Sequence, residues 1–360
     1  MSRLIALHRQ LVSVGPRGFA QWLLFTLLRA VGRFYGLIGY IRRQLYRAGF
    51  LRVYRPPVPV ISVGNLAVGG TGKTPMVDYL VKCFASRGLR VAVVSRGYGG
   101  RGAGRVGLVC AGQGPLLSPY VCGDEPFLLA QRNPDAVVLI APRRAEGVRM
   151  AIERFAVDLI LLDDGFQHLA VARDLDIVLL DARRPLSNGC LLPAGLLREM
   201  PTALRDADLI VLTRSEGAEN PNLNTSSPRI RCRHRLADQA VSLGGETVPL
   251  QALVGQRGVA FAGIAEPDSF FNALTGAGLH LLRTLPLSDH VNYDSDTLVR
   301  LSDAAQEADF LVTTEKDGVK ISQEQLSIPC YQIPMTLDFY DEGSLLLERA
   351  LNAVIHQERT

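Results

Sequence analysis

The chain has 360 residues, 48% of them hydrophobic and only 7% aromatic, enough apolar material for two domains of ordinary size. Ten arginines and no acid lie in residues 1–55 and the first acid is Asp78, so a formal net charge of +4 leaves the rest of the chain at −6. This excludes a general nucleic-acid-binding surface and places the basic charge in one terminal segment. Cys83, Cys110, Cys122, Cys190, Cys232 and Cys330 have neither knuckle nor redox-pair spacing. With no secretory signal read at the N-terminus, the expectation is free thiols in a reducing cytosol.

Residues 1–55 are expected to form a basic amphipathic, membrane-associating segment. Its centre, Phe19–Ile41, is apolar and about long enough to cross a bilayer. Arg29 and Arg33 sit near the middle, where each costs roughly 2.5–3.5 kcal/mol in a spanning helix. At about 100° per residue, Arg29, Arg33, Arg43 and Arg47 share one stripe, with Trp22, Phe25, Leu28 and Tyr35 elsewhere on the wheel. Such a helix can lie in the interface with its arginines toward anionic headgroups, span the bilayer, or pack on the protein body.

After Pro56, Pro57 and Pro59, apolar runs alternate with helical patterns. Strands are expected at 59–65, 90–97, 136–142, 157–164, 175–181 and 207–213, with a helix from Pro75 to about Arg87. Continuous rather than alternating apolar runs fit strands buried on both faces of a parallel sheet. A polar stretch rich in turn formers, 214–229, then leads to further apolar runs at 258–264, 279–287 and 309–317. The fold class is α/β: a P-loop NTPase-like, mostly parallel sheet with flanking helices over 56–224, and a smaller C-terminal α/β domain over 225–360. No internal repeat or low-complexity tract interrupts this pattern.

Two stretches carry nucleotide chemistry. In "NLAVGGTGKTP" (65–75), Gly69, Gly70 and Gly72 let backbone N–H groups turn inward onto phosphate oxygens. Ala67, Val68 and Thr71 complete the loop, Lys73 adds a cation, and Thr74 is placed to ligate Mg²⁺. Ala67 stands where the generic pattern opens with glycine. In "LILLDDGFQH" (159–168) an apolar strand ends in Asp163 and Asp164, either of which can hold Mg²⁺ beside the loop. Both stretches also have plain structural readings, as a glycine-rich turn and as acids closing a strand.

These stretches, with "VVSRGYGGR" (93–101), "GDEP" (123–126), "LPAGLLRE" (192–199), "SDH" (288–290) and "TTEKDGVK" (313–320), occur in the order of the tetraacyldisaccharide 4'-kinases, which the chain resembles over nearly its whole length. The resemblance accommodates Ala67, because that family's loops commonly lack glycine there. It implies ATP with Mg²⁺ and transfer of the γ-phosphate to the 4'-hydroxyl of a lipid A disaccharide-1-phosphate precursor. It also implies work on an anionic membrane surface at the cytoplasmic face of the bacterial inner membrane, with no nucleic acid and no obligate protein partner.

By the same resemblance Asp124 is the catalytic carboxylate, His290 its partner from the C-terminal domain closing over the site, and Lys73 the phosphate-binding cation. Asp164, then Asp163 and Glu199, are the acids expected to join Thr74 at the metal. Gln167 and His168 are candidates for the metal shell or nucleotide. Arg144 and Arg198 are candidate phosphate clamps, and Arg96 and Arg101 candidate contacts to an anionic headgroup. Glu315, Lys316 and Asp317 either reach the nucleotide or form a local ion-pair turn. Asp124 could instead cap a helix. Two rival functions remain open on sequence: a membrane-recruited P-loop ATPase switch, and a P-loop kinase of a soluble metabolite.

Overall fold

The computed structural model describes residues 2–102, 104–216, 221–340 and 342–356. Part of the polar stretch 214–229 thus lies outside the described residues, as do the side chains of 2–6 and Arg9.

In chain order the first half forms α1 (Ser2–Ser13), α2 (Phe19–Arg47), β1 (Val60–Asn65), α3 (Lys73–Ala85), β2 (Val91–Ser95), β3 (Gly107–Ala111), α4 (Pro119–Cys122), α5 (Asp124–Arg132), β4 (Val137–Ile140), α6 (Arg144–Phe155) and β5 (Leu159–Asp163). There follow β6 (Leu175–Asp181), β7 (Leu209–Thr213), β8 (Arg229–Leu236), β9 (Gln239–Ser242), β10 (Thr247–Pro249), β11 (Arg257–Ala262), α7 (Pro267–Gly276) and β12 (His280–Pro286). The chain continues through α8 (Ser295–Ala304), β13 (Phe310–Thr314), α9 (Glu315–Gly318), β14 (Cys330–Ile333), β15 (Met335–Phe339) and α10 (Gly343–Ile355). Every residue of β1, β2, β4, β5 and β7 is buried, as continuous apolar runs require.

The chain groups into two compact units, each assembled from distant segments. The first holds Met1–Lys73, Asp158–Arg233 and Phe339–Thr360, and the second Thr74–Val157 and His234–Asp338. Residues 74–157, assigned on sequence to the same domain as the phosphate loop, thus group with most of the C-terminal segment.

In the first unit β8, β7, β6, β1 and β5 lie side by side in that order, all parallel. β1 runs between β5 and β6, with Val63 opposite Asp163 and Asn65 opposite Leu179. The glycine loop therefore leaves the carboxyl end of an inner strand, where open α/β sheets bind ligands. Beneath it Leu66, Phe166, Leu197, Leu204 and Leu212 form a dry core.

The helix α2 packs on this unit through Gly32, Gly36 and Arg43, which are its buried residues. A Cβ on Gly32 would come within 2.9 Å of the Leu191 carbonyl oxygen, and one on Gly36 would strike the Leu191 side chain. Glycine at both positions is what allows the close approach. The other side of α2 is apolar and open: Phe19 is 87% exposed, and Leu23, Leu27, Phe34, Ile38 and Ile41 are exposed with it. This corrects the arginine stripe expected to face headgroups. Arg43 is buried and paired with Glu199 and Asp206, and Arg47 reaches Asp206, so that part of the stripe faces the protein's own acids.

In the second unit β2 and β4 are parallel and β3 is antiparallel to β4. A six-stranded sheet follows in the order β10, β9, β14, β13, β11, β12. Alternation along β11 sends Ala260 and Ala262 to a core shared with Phe270, Phe271 and Leu274 of α7, and Val259 and Phe261 to a core shared with Leu301 of α8. The same unit carries α5 together with the turn after β12 and the residues around α9.

Candidate active site

The phosphate loop is braced from within. The Asn65 side-chain amide donates to the Thr71 hydroxyl at 3.1 Å and the Gly69 carbonyl at 3.4 Å. The Thr213 hydroxyl donates to the Thr71 carbonyl at 3.0 Å. Gly69 and Gly72 adopt φ of 128° and 84°, a region that L side chains rarely enter. Ala67 needs no such freedom. It forms an antiparallel bridge with Leu197, and the loop is pinned on both sides of it: Val68 N–H donates to Leu196 O and Arg198 N–H to Leu66 O, each at 2.8 Å. The first glycine of the generic pattern is dispensable because a strand-like bridge occupies its place.

Around this loop the structure gathers opposite charges. Asp163 closes β5 and is 2% exposed. The next residue, Asp164, turns into the left-handed region at φ 53°. Its carboxylate meets Arg198 Nη1 at 2.9 and 2.7 Å and lies 3.6 Å from Lys73 Nζ. The turn that follows touches the strand backbone closely: a Cβ on Gly64 would fall 2.5 Å from Phe166 Cβ. Gln167 donates to the Asn65 carbonyl at 2.9 Å, while its own amide oxygen is buried with no partner among the described residues. His168 N–H donates to Gly165 O, and its carbonyl accepts from Arg173. Glu199 is buried against Arg43, whose guanidinium also lies 4.9 Å over the Phe166 ring.

A second centre lies in the other unit. Gly123 is the N-cap of α5, and Asp124 occupies its first turn. The N-cap is Gly123 and not Asp124, whose Oδ2 takes His290 Nδ1 at 3.2 Å and Lys320 Nζ at 2.9 Å. Burial by itself would raise this carboxyl, but the hydrogen bond from His290 and the charge of Lys320 outweigh it and hold it below its ordinary value. His290 stands at φ 57°, its N–H bonded to the Gly263 carbonyl at 3.3 Å. Its ring meets the edge of Tyr98, with centroids 5.9 Å apart, and Lys316 Nζ lies 3.3 Å from Nε2. Burial and the Asp124 charge push the neighbouring Cys122 thiol up to about 11, leaving it protonated and unreactive at neutral pH.

The LpxK family, tetraacyldisaccharide-1-P 4'-kinase, matches residues 24–355. The chain belongs to the tetraacyldisaccharide 4'-kinase family. It is similar to a tetraacyldisaccharide 4'-kinase of Syntrophotalea carbinolica, at 50% identity over 359 residues and 100% of each chain. Against that of Geobacter sulfurreducens the identity is 44%, over 96% of this chain and 98% of the relative. The crystal structure of LpxK from Aquifex aeolicus in complex with ATP shares the fold at a TM-score of 0.79 and 30% identity, covering 92% of this chain and all of that one.

In this 4'-kinase the remaining expected residues fall in several places. Arg96 is exposed after β2, and Arg101 lies 4.2 Å over the Tyr120 ring. Arg144 is 2% exposed and donates to the Ala141 carbonyl at 2.7 Å, so its guanidinium is built into the second unit's interior. Glu315 is held by Arg132, which also pairs with Asp78 at 2.9 Å. Asp317 is fully buried, accepting from Gly263 N–H at 2.9 Å and the Thr314 hydroxyl at 2.7 Å. Burial and the Asp317 charge drive the nearby Tyr293 hydroxyl far up, so it stays protonated. Of the "EKD" triplet only Lys316 reaches the His290 ring. Sequence reasoning missed Lys320, Asn65 and Arg132, and the only local hint for Lys320 is its i,i+4 spacing from Lys316.

The residues present fit Mg²⁺. Asp163 closes β5 and Asp164 follows it, and both carry the hard carboxylate oxygens that Mg²⁺ takes; Asp164 also meets Arg198 and Lys73, and Glu199 is paired with Arg43. Among the described residues no group of three or more His, Cys, Asp and Glu could hold a metal alone. Mg²⁺ generally completes its shell with nucleotide phosphates and water.

Proposed function

We propose that the protein transfers the γ-phosphate of ATP to the 4'-hydroxyl of a tetraacylated diglucosamine-1-phosphate, at the cytoplasmic face of the inner membrane. The observation that carries this reading is the Asp124–His290 pair in a chain that also holds a braced phosphate loop. A nucleotide-dependent switch needs the loop but has no use for such a pair.

In the proposed reaction the loop N–H groups and Lys73 hold the β- and γ-phosphates, and Arg198 joins Lys73 at Asp164 to set the local charge. Asp163 and Asp164, at the end of β5, would hold the Mg²⁺ whose charge offsets that of the phosphates. The sugar hydroxyl binds Asp124 through Oδ1, since Oδ2 is held by two donors. The hydroxyl oxygen forms the bond to Pγ, the bond from Pγ to the β,γ-bridging oxygen breaks, ADP departs, and the hydroxyl proton passes to Asp124. A carboxylate held below its ordinary value is a modest base. Its contribution is orientation of the hydroxyl and late acceptance of the proton, which a loose phosphoryl-transfer transition state tolerates.

The helix α2 supports membrane residence. It is long and apolar enough to cross a bilayer by length and composition, and its open side supports contact with acyl chains. A substrate confined to the bilayer suits an enzyme so anchored, and a soluble metabolite does not require it. The test is transfer of labelled γ-phosphate from ATP to a micelle-dispersed tetraacyl disaccharide-1-phosphate. A labelled bisphosphate product is expected; folded protein that binds ATP but gives no such product would overturn the reading.

A further inference from the structure

Two lysines flank the Asp124–His290 pair, four residues apart around α9. Lys320, with a side chain 12% exposed, places Nζ 2.9 Å from Asp124 Oδ2. Val291 O at 3.4 Å and Asp317 Oδ1 at 4.0 Å hold the same ammonium in position. On the far side of the imidazole, Lys316 Nζ stands 3.3 Å from His290 Nε2, tethered by Asp289 at 3.4 Å and Glu125 at 3.6 Å.

An ammonium group has donors and no lone pair. At Nε2 it can only donate, so Nε2 must be the unprotonated nitrogen and Nδ1 the one that carries hydrogen. Nδ1 is also the atom that faces Asp124 Oδ2, where a donor is needed. The two contacts are satisfied together by one tautomer alone. The opposite tautomer sets N–H against N–H at Lys316 and leaves a lone pair against the carboxylate.

We propose that Lys316 and Lys320 are positioning residues for the Asp124–His290 pair: Lys316 fixes the imidazole as its Nδ1–H tautomer, and Lys320 fixes the carboxylate through Oδ2. Together they leave Asp124 Oδ1 as the acceptor for the sugar hydroxyl. The remaining groups facing the pair are Asp289, whose Oδ1 lies 4.0 Å from Nε2, the Tyr98 ring, Cys122 and Tyr293. The thiol and the phenol stay protonated, so the lysines are the nearby cations. This assignment rests on the proton-acceptor reading of Asp124.

The tautomer can be read without turnover. Full-length protein labelled with ¹⁵N-histidine, in detergent micelles, should show the Nδ1–H tautomer of His290 in long-range proton–nitrogen correlation spectra, assigned by loss of the signal in His290→Gln. Lys316→Met should move it toward Nε2–H, and Lys316→Arg should restore Nδ1–H. For Lys320, the readout is the acid limb of the kcat–pH profile. Lys320→Met should move the limb up by about 1–3 pH units, the usual effect of losing an opposite charge at contact, and Lys320→Arg should leave it near the parent. An Nε2–H signal in the parent protein, or a tautomer unmoved by Lys316→Met, would overturn the role of Lys316. An acid limb unmoved in folded Lys320→Met would overturn that of Lys320. Undiminished turnover in Asp124→Ala would instead overturn the underlying proton-acceptor reading, an outcome distinct from either lysine result.

Discussion

Arg198 and Asp164 are locked together: Nη1 of the arginine lies 2.9 Å from one carboxylate oxygen and 2.7 Å from the other. Lys73 waits 3.6 Å away on the same acid. Asp164 thus gathers both cations beside the phosphate loop, and in the proposed reaction an incoming triphosphate would compete with it for them. Arg198→Ala is expected to lower kcat by about 10²–10³, the scale of losing one preorganised donor. Arg198→Lys should recover only part of it, since an ammonium lacks the planar fork. Steady-state kinetics at saturating lipid and varied ATP give the comparison; a kcat within twofold of the parent in Arg198→Ala would remove this arginine from the reaction.

The same segment is tied to α2 by Arg43, buried against Glu199 and Asp206. Removing one partner of a buried ion pair strands the other. Arg43→Met is therefore expected to destabilise the protein by about 3–5 kcal/mol. Arg43→Met combined with Glu199→Met should recover much of that loss, because no unpaired charge then remains between them. Urea unfolding of the single and double variants in the same detergent tests this, and equal losses in both would show that the charge pairing is not what α2 contributes.

The sequence made the parallel strands legible because burial on both faces leaves an unbroken apolar run, as in "VISVGN" and "LDIVLLD". It hid β8, whose "RIRCRHRL" alternates buried and open positions and reads as basic loop, and the short β9 and β10. The phosphate loop and Asp163-Asp164 were readable because their chemistry is local. The partners of Arg43 were not, since Glu199 and Asp206 stand 156 and 163 residues away in sequence. An arginine stripe on an apolar helix looks the same whether it faces headgroups or the chain's own acids. Lys320 was obscured for a similar reason, because its carboxylate partner belongs to a helix far earlier in the chain.

The exposed side of α2 gives a membrane prediction. Leu27 is 62% and Phe34 66% exposed, on a helix whose buried residues are Gly32, Gly36 and Arg43. Moving a large apolar side chain from water into acyl chains is worth about 1.5–3 kcal/mol. Leu27→Asp with Phe34→Asp should therefore lower partitioning onto anionic vesicles by at least ~10²-fold. Turnover on fully micelle-dispersed substrate should change far less, because neither side chain touches the phosphate loop. Vesicle co-sedimentation beside micellar turnover separates the two effects. Unchanged partitioning would mean that this side of α2 is not what meets the lipid.

Asp124 sets the last expectation, and its sign follows from its partners. Burial would raise the carboxyl, but His290 and Lys320 bring it below the ordinary value of 3.8. A group lowered on folding contributes stability in full above its unfolded value and loses it as pH falls through the folded one. The Asp124 contribution should therefore be intact at neutral pH and fade only below the ordinary carboxylate range. His290→Ala removes one lowering partner, so acid unfolding should begin at higher pH than in the parent. At neutral pH Asp124→Ala should cut kcat by about 10²–10⁴, the scale of a lost acid–base group. ATP affinity should be nearly unchanged, because the nucleotide contacts proposed here lie on the loop. Acid titration followed by circular dichroism, with kcat and ATP binding measured on each variant, covers both halves. Lost ATP binding with normal residual kcat would move Asp124 out of the acceptor's proton path and into the nucleotide pocket.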